Sequence, residues 1–232
     1  MHDDALAAKI QAVRARIAAA CARVGRSPDE VTLVGVTKTH SAAVVRGAHR
    51  AGLLDLGESY AQEWRLKADE TADLEPAVRW HFIGHLQSNK ARVLVGRTHL
   101  VHSVDRVSVA DALAERSERS GVVTRVLIEV GVAGEAQKSG CSPSDLPWLS
   151  RHVMASPGLE LCGLMTVAPD VEDPEEVRPV FRALRQLRDR LRSEDPRGAV
   201  TELSMGMSGD LEVAVEEGAT LVRVGTALFG VR

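Results

Sequence analysis

The chain has 232 residues, of which 44% are hydrophobic and 26% charged, as in ordinary folded globular domains. Its formal net charge of −3 and its 3% of aromatic residues argue against a nucleic-acid-binding protein, which would carry a basic surface and stacking platforms. No apolar run approaches the ~20 residues that a membrane span needs, and no polybasic run indicates a membrane surface. We therefore expect a folded protein that binds neither nucleic acid nor membrane.

The start of the chain and the cysteines indicate in which cellular compartment the protein folds. The first residues, MHDDALAAKI, are acidic and amphipathic and do not resemble a secretory signal. The three cysteines Cys21, Cys141 and Cys162 are too sparse and too irregularly spaced for a disulfide framework. Both observations predict a protein of the reducing cytoplasm.

Short apolar, β-branched runs alternate eight times with helical patterns of 3.6-residue spacing. Each run is almost continuously hydrophobic, as expected for a strand that is buried on both faces. The clearest helical patterns are Val107–Ser120 and Glu175–Ser193, and another helix, roughly Asp4–Val24, precedes the first strand. The predicted strands are Val31–Lys38, Leu53–Ser59, Trp80–Gly84, Leu100–Val104, Arg125–Val130, Leu159–Thr166, Thr201–Gly206 and Leu221–Thr226.

Eight strand–helix units predict an α/β fold. The length suits a single TIM-type (β/α)8 barrel domain over residues 1–232 with an extra N-terminal helix. An open doubly wound sheet is the alternative, but it would carry a glycine-rich nucleotide turn where this chain reads Thr37-Lys38-Thr39-His40. Because barrel enzymes build their sites at the C-terminal ends of the strands, we expect the functional residues at those positions.

Lys38 ends the first predicted strand and is one of only five lysines in the chain. An ammonium group beside an apolar strand and the hydroxyls of Thr37 and Thr39 would be poorly solvated. Such a lysine is suited to imine formation with an aldehyde. The alternative is a strand-end lysine that reaches solvent or pairs with a carboxylate.

Arg223 lies between two valines in the eighth predicted strand, so alternation directs it into the barrel or its mouth. A buried arginine needs an acceptor. Gly225 and Thr226 follow it and offer backbone amides and a hydroxyl that suit a phosphate, which barrels of this type often bind after strands seven and eight. An arginine paired with a carboxylate and followed by an ordinary turn is an equally good interpretation.

Ser204, Met207 and Ser208 lie at the end of the seventh predicted strand, before a helix that begins at about Asp210. Hydroxyls, free amides and a helix N-terminus attract anions. The alternative is that Ser208 is only the N-cap of that helix.

No metal site is predicted. The histidine pairs His81 with His85 and His99 with His102 lack evident third and fourth ligands of a zinc site. A P-loop, a nucleophile elbow and a paired-carboxylate site are also missing from the sequence.

Eight segments, in order and at the predicted strand ends, resemble the pyridoxal-phosphate homeostasis protein family, which is related to the N-terminal barrel of alanine racemase. They are VGVTKT, GESYAQE, WHFIGHLQSNKAR, VHSVDR, KSGC, GLMTV, LSMGMSGDLEVAV and VRVGTALFG. The resemblance implies a barrel that carries pyridoxal 5′-phosphate (PLP) on Lys38 as a Schiff base.

The resemblance also implies roles for other residues. Arg223 would face the pyridine nitrogen. Because a guanidinium only donates hydrogen bonds, it would keep that nitrogen unprotonated and weaken the ring as an electron sink. Ser59 stands where the family usually has asparagine, so one polar contact near the cofactor would be shorter. The implied phosphate-binding positions, with two residues beside them, are Ser204, Gly225, Thr226, Met207 and Ser208.

The implied function is a monomeric carrier, without catalytic residues, that holds PLP and releases it to apo-enzymes. The alternative is a minimal PLP-dependent racemase or transaminase. Racemases of this type add a C-terminal domain with a second base, for which we expect no room because this sequence ends at Arg232. A third interpretation is a site for another phosphorylated metabolite. As a further hypothesis, Lys138 receives the aldehyde transiently during transfer, against the alternative of a solvated loop lysine.

Overall fold

The computed structural model describes residues 2–133 and 139–230. Within them, eight parallel strands close a barrel in sequence order, because each strand pairs with the next and the eighth pairs with the first. The strands are Thr32–Val36 (β1), Asp55–Glu58 (β2), Arg79–Phe82 (β3), Leu100–Val104 (β4), Thr124–Glu129 (β5), Leu159–Met165 (β6), Glu202–Ser204 (β7) and Leu221–Val224 (β8).

Helices surround the barrel. The first of them precedes β1 and packs against the helices that follow β7 and β8. The α-helices of the described residues are His2–Arg23 (α1), Ala42–Arg50 (α2), Ala61–Glu70 (α3), Ser88–Ala91 (α4), Val107–Ser120 (α5), Leu146–Ala155 (α6), Arg178–Glu194 (α7), Leu211–Glu216 (α8) and Thr226–Phe229 (α9).

The structure confirms the predicted barrel and its extra N-terminal helix. Strand ends differ from the predicted ones by at most two residues. The predicted helix over Glu175–Ser193 begins instead as a 3₁₀ turn over Pro174–Val177, and α7 follows it. Pro179 explains the new start, since proline lacks an N–H and suits the first turn of a helix.

The barrel interior is partly apolar and partly polar. Side chains alternate along a strand, so Leu100 shares the inner face of β4 with His102, and Leu221 shares that of β8 with Arg223. Leu100 and Leu221 belong to a small interior cluster that is separate from the larger core between strands and helices. The buried polar side chains therefore lie beside a packed apolar layer.

The three cysteines are free and buried. Burial raises the pKa of the Cys141 thiol to about 12 and that of Cys162 to about 11, so both stay protonated at neutral pH. None of the described helices is long and apolar enough to cross a membrane.

Candidate functional site

A cavity of about 290 Å³ opens at the C-terminal end of the barrel, close to the lower end of the ~300–1,000 Å³ that small-molecule sites occupy. Six of the eight predicted site residues line it, and Ser59 and Ser204 do not. The lining residues are Val36, Lys38, Ile83, Pro169, Asp170, Val171, Pro174, Met207, Ser208, Gly209, Asp210, Arg223, Gly225 and Thr226.

Lys38 lies two residues past the end of β1, on one side of the cavity. Its side chain is exposed, so the poor solvation expected of its amine is not found. The physical reason is the turn that follows β1, in which Thr39 adopts a left-handed φ of 62° and the backbone leaves the apolar strand before Lys38. The amine is therefore accessible from solvent at the mouth of the cavity.

A buried ion pair lies beneath this turn. The Lys67 ammonium donates to Oε1 of Glu58 at 2.6 Å and to the carbonyl oxygen of Thr37 at 2.6 Å. The Thr37 hydroxyl donates to the same carboxylate oxygen at 2.7 Å. Burial raises the pKa of Glu58, although the hydrogen bonds from Lys67 and Thr37 oppose that shift. The buried Lys67 ammonium thus holds the backbone of Thr37, the residue before Lys38.

Arg223 forms the floor of the cavity and is 5% exposed. Its Nη1 donates to Oγ of Ser204 at 2.6 Å, and its Nη2 donates to the carbonyl oxygen of Thr166 at 2.8 Å. Burial lowers the pKa of Arg223 to about 10, while the carboxylates of Glu129 and Asp210 oppose that shift. The guanidinium is therefore charged at neutral pH, and its acceptors are a hydroxyl and a carbonyl group rather than the carboxylate of the alternative interpretation.

Ser204 lies below Arg223, inside the barrel, and is fully buried. Its hydroxyl contacts Arg223 and Nδ1 of His102, the latter at 2.8 Å. This geometry does not support the direct phosphate contact expected of Ser204, because both neighbours of its oxygen are protein groups of the interior.

The loop after β7 forms another wall. The backbone N–H of Met207 donates to Oδ1 of Asp210 at 2.5 Å, whereas the amides of Ser208 and Gly209 have no acceptor within 2–133 and 139–230. Asp210, not Ser208, is the N-cap of α8. The helix-cap interpretation of Ser208 is therefore wrong, and its hydroxyl instead accepts from the N–H of Ala227 at 3.4 Å.

The loop after β8 adjoins the loop after β7. Gly225 is the N-cap of the one-turn helix α9, and Thr226 is its first residue. The contact between Ser208 and Ala227 joins the two loops. Residues of the two loops thus line one cavity, which Lys38 and Arg223 also line.

Ser59 lines a different cavity, of about 350 Å³, together with Tyr60, His85 and Lys90. Lys138 lies outside the described residues. The structure adds the loop after β6, where Pro169, Asp170, Val171 and Pro174 line the cavity. This loop has no recognisable motif, and its only signal in the sequence is its position directly after a predicted strand.

Comparisons with known proteins assign the family. The sequence profile of the alanine racemase N-terminal domain family matches residues 8–232. A pyridoxal phosphate homeostasis protein of Aquifex aeolicus is 45% identical over 224 residues, which cover 97% of each chain. The chain belongs to the pyridoxal phosphate homeostasis protein family, within the alanine racemase N-terminal domain family.

Solved structures agree with the family assignment. An unknown protein from Bifidobacterium adolescentis superposes with a TM-score of 0.90 at 35% identity, covering 98% of this chain and 95% of the other. PipY of Synechococcus elongatus, solved with PLP bound, superposes with a TM-score of 0.84 at 34% identity, covering 97% of this chain and all of PipY. The fold is thus that of the homeostasis protein family across nearly the whole chain.

Proposed function

We propose that this chain binds PLP in the cavity at the C-terminal end of the barrel, holds it on Lys38 as a Schiff base, and buffers or delivers it in the cell. The observation that carries the proposal is that three chemical groups meet in one cavity. They are the amine of Lys38, the N–H donors of Arg223, and the amides of Ser208 and Gly209, which have no acceptor among the described residues. They match, respectively, an aldehyde, a pyridine nitrogen and a phosphate. The family assignment supports the same ligand.

Arg223 would determine the electronic state of the ring. When bound, PLP supplies a reactive aldehyde and an electron-withdrawing ring. Arg223 has five N–H donors and no acceptor, so it can hold the ring nitrogen only in its unprotonated form. An unprotonated ring withdraws electrons less strongly, which suits storage of the cofactor better than catalysis.

The phosphate would lie against the loops after β7 and β8. Ser208, Gly225 and Thr226 offer amides and hydroxyls there, and Met207 lies beside them. Ser204 acts through Arg223 in this proposal, as a residue that positions the guanidinium. The role of Ser59 stays a prediction.

The proposal extends to delivery and cellular context. We infer that the protein is a cytoplasmic, single-domain monomer over residues 1–232, since three free thiols suit a reducing compartment and the strands close one barrel. Apo-enzymes that depend on PLP would be its partners. Loaded protein mixed with a PLP-dependent apo-enzyme should restore that enzyme's activity, whereas loaded protein that leaves it inactive would contradict delivery.

The first experiment is absorption spectroscopy of wild type, Lys38→Ala and Lys9→Ala after incubation with PLP and then borohydride. Lys9 is an exposed lysine of α1 and serves as the matched control. We expect imine absorbance that bleaches on reduction, and a reduced cofactor on the Lys38 peptide, in wild type and Lys9→Ala only. Equal labelling of all three proteins would overturn the assignment of Lys38.

The alternative, a minimal racemase or transaminase, is tested with the same loaded protein. Turnover of alanine at the ~1–10³ per second of ordinary enzymes would favour it. Tyr60, the single tyrosine of the chain, lies outside the cavity that contains Lys38, so it is badly placed as a second base. We therefore expect no more than slow exchange of the imine with the added amino acid.

A further inference from the structure

A continuous row of hydrogen bonds crosses the interior of the barrel below the cavity. It begins at Arg223, whose Nη1 donates to Oγ of Ser204 at 2.6 Å. That oxygen lies 2.8 Å from Nδ1 of His102, and Nε2 of His102 lies 2.9 Å from Nδ1 of His81. These four residues are between 0% and 5% exposed, so water has little access to the row.

The row ends on a carboxylate at the opposite end of the barrel. Nε2 of His81 lies 3.2 Å from Oδ1 of Asp55, the first residue of β2. Arg79 donates to both oxygens of this carboxylate, at 2.7 and 2.5 Å. Asp55 lines a cavity of about 450 Å³ among the N-terminal ends of β1, β2 and β3, whereas Lys38 follows the C-terminal end of β1. We call Arg223, Ser204, His102, His81 and Asp55 the interior network.

Hydrogen-bonding capacity fixes the direction of the interior network when both imidazoles are neutral. Arg223 can only donate, so Ser204 accepts from it and passes its own hydroxyl hydrogen to Nδ1 of His102. Nε2 of His102 then donates to Nδ1 of His81, and Nε2 of His81 donates to the Asp55 carboxylate. Every group is satisfied, and every hydrogen bond runs from the guanidinium towards the carboxylate.

The reverse order fails at both ends. His102 would donate to Ser204, which would then accept two hydrogen bonds and have no acceptor for its own hydrogen in the described structure. An unsatisfied buried polar group of this kind is destabilising. At the other end, an unprotonated nitrogen of His81 would face the carboxylate of Asp55. Both ends of the interior network therefore favour the tautomers with hydrogen on Nε2 of His102 and of His81.

From this geometry we propose that His102, His81 and Asp55 are positioning residues of the cofactor cavity, through which a carboxylate at the far end of the barrel sets the orientation and charge that Arg223 presents to the ring. The inference rests on the proposed function, because Arg223 matters in this way only if PLP occupies the cavity. A purely structural interior would be simpler to build from apolar residues, such as Leu100 and Leu221 beside the network, since buried charged groups carry a desolvation cost.

Other charged and titratable groups also face the interior network. The ring centroid of His99 lies 5.4 Å from that of His81, and Arg125 contacts His99 from β5 at 3.2 Å. At the upper end, the carboxylates of Glu129 and Asp210 act on Arg223. Substitutions at Asp55 and Asp29 leave these groups unchanged, so their electrostatic effect on the interior network is the same in all the compared proteins.

The first test needs no cofactor. Nitrogen-15 NMR of the histidine rings in the unloaded wild-type protein reports the tautomer of each ring. We expect hydrogen on Nε2 and none on Nδ1 for both His81 and His102 at pH 7.5. A hydrogen on Nδ1 of His102, or on both of its nitrogens, would overturn the ordered network.

The second test compares Asp55→Asn with Asp29→Asn and Asp55→Glu. Asp29 lines the same lower cavity and belongs to no part of the interior network. With PLP loaded, the pH midpoint of the imine absorbance is measured for each protein. Without the carboxylate, less negative charge lies below Arg223, which disfavours a protonated imine, so the midpoint should fall in Asp55→Asn. It should stay at the wild-type value in Asp29→Asn and return towards it in Asp55→Glu.

Different results would contradict PLP binding and the positioning role of the interior network. Wild-type protein without any imine absorbance would overturn the proposed function, and the NMR test would still decide the order of the interior network. A folded Asp55→Asn protein with the wild-type midpoint, or an equal shift in Asp29→Asn, would overturn the positioning role while leaving PLP binding intact.

Discussion

The ammonium of Lys67 lies 2.6 Å from the carbonyl oxygen of Thr37 and holds the backbone immediately before Lys38. Lys67 is 4% exposed and also contacts Glu58 and Glu63, at 2.6 and 2.8 Å. A buried ammonium with three acceptors is fully compensated, whereas the Glu58 carboxylate depends on it because its second oxygen has no partner among the described residues. The turn that carries Lys38 therefore rests on a buried ion pair.

Replacement of Lys67 by methionine should be strongly destabilising. The change leaves Glu58 buried without its counter-charge, and removal of one partner of a buried pair costs about 3–5 kcal/mol. Urea denaturation measures the loss in free energy of unfolding. Lys9→Met, on the exposed face of α1, is the control and should behave as wild type.

The double variant Lys67→Met with Glu58→Gln separates charge from packing. Because glutamine carries no charge, it should restore part of the stability lost in Lys67→Met. A double variant less stable than Lys67→Met alone would show that the uncompensated carboxylate is not the cause.

The barrel could be predicted from the sequence because its strands are continuous apolar runs separated by clear helical patterns. β4, Leu100–Val104, is an example in which the predicted and observed bounds are identical. Five of the six predicted cavity-lining residues could be found because they follow strand ends, where barrel sites lie, and Arg223 because it alternates with two valines within β8. Position along a strand was thus enough for these features.

The interior network could not be predicted from the sequence. His81 and His102 lie within strands, where each resembles an isolated polar residue in an apolar run, and only the pairing of β3 with β4 brings their ring nitrogens within 2.9 Å. The same holds for Lys67, which occupies an ordinary position of α3 and whose acceptors come from β2 and from the turn after β1. Contacts between separate strands and helices depend on strand register and on packing. The hydrophobic pattern of a single segment carries no information about either.

Arg16 should support ligand binding from outside the cavity. Its guanidinium donates to the carbonyl oxygen of Ser208 at 3.0 Å and to Glu212 at 2.6 and 2.8 Å, so α1 holds the loop proposed to bind phosphate. Arg16→Ala should weaken PLP binding about twofold to tenfold, the equivalent of one ordinary hydrogen bond. Fluorescence titration with PLP measures the effect.

Arg23→Ala is the matched control for Arg16→Ala. Arg23 also joins α1 to α8, through Glu216 at 2.5 Å, but it does not contact the loop. Its PLP affinity should equal that of wild type. Equal weakening by both substitutions would indicate a general loosening of α1 rather than support of the loop.

Gly206 should tolerate no side chain. Its φ is 94°, and a Cβ atom there would lie 2.6 Å from Cβ of Ala214. Gly206→Ala combines a left-handed backbone with overpacking and should lower the free energy of unfolding by about 2–4 kcal/mol. Gly209→Ala, where a Cβ meets nothing within 4 Å, should stay within about 0.5 kcal/mol of wild type. Thermal and urea unfolding of the two variants would contradict this account if their losses were equal.

The buried His102 should make stability depend on pH. Burial, followed by electrostatic interaction with His81 and Arg223, lowers its pKa well below the ordinary value of 6.5. Below about pH 6.5 the unfolded chain therefore binds a proton at His102 that the folded protein does not bind. The unfolded state then gains protons relative to the folded state, so the free energy of unfolding falls as the pH drops, by up to about 1.4 kcal/mol per pH unit.

His102→Gln should remove this contribution and flatten the dependence between pH 6.5 and 5. Above pH 7 both proteins should show the same slope, because His102 is neutral in both the folded and the unfolded wild-type chain. His85→Gln, which replaces a histidine whose side chain is 53% exposed, is the control for loss of an imidazole outside the barrel interior. Urea denaturation at half-unit pH steps measures these slopes. If His102→Gln lost stability in acid as steeply as wild type, then His102 would not be the buried neutral group that the interior network requires.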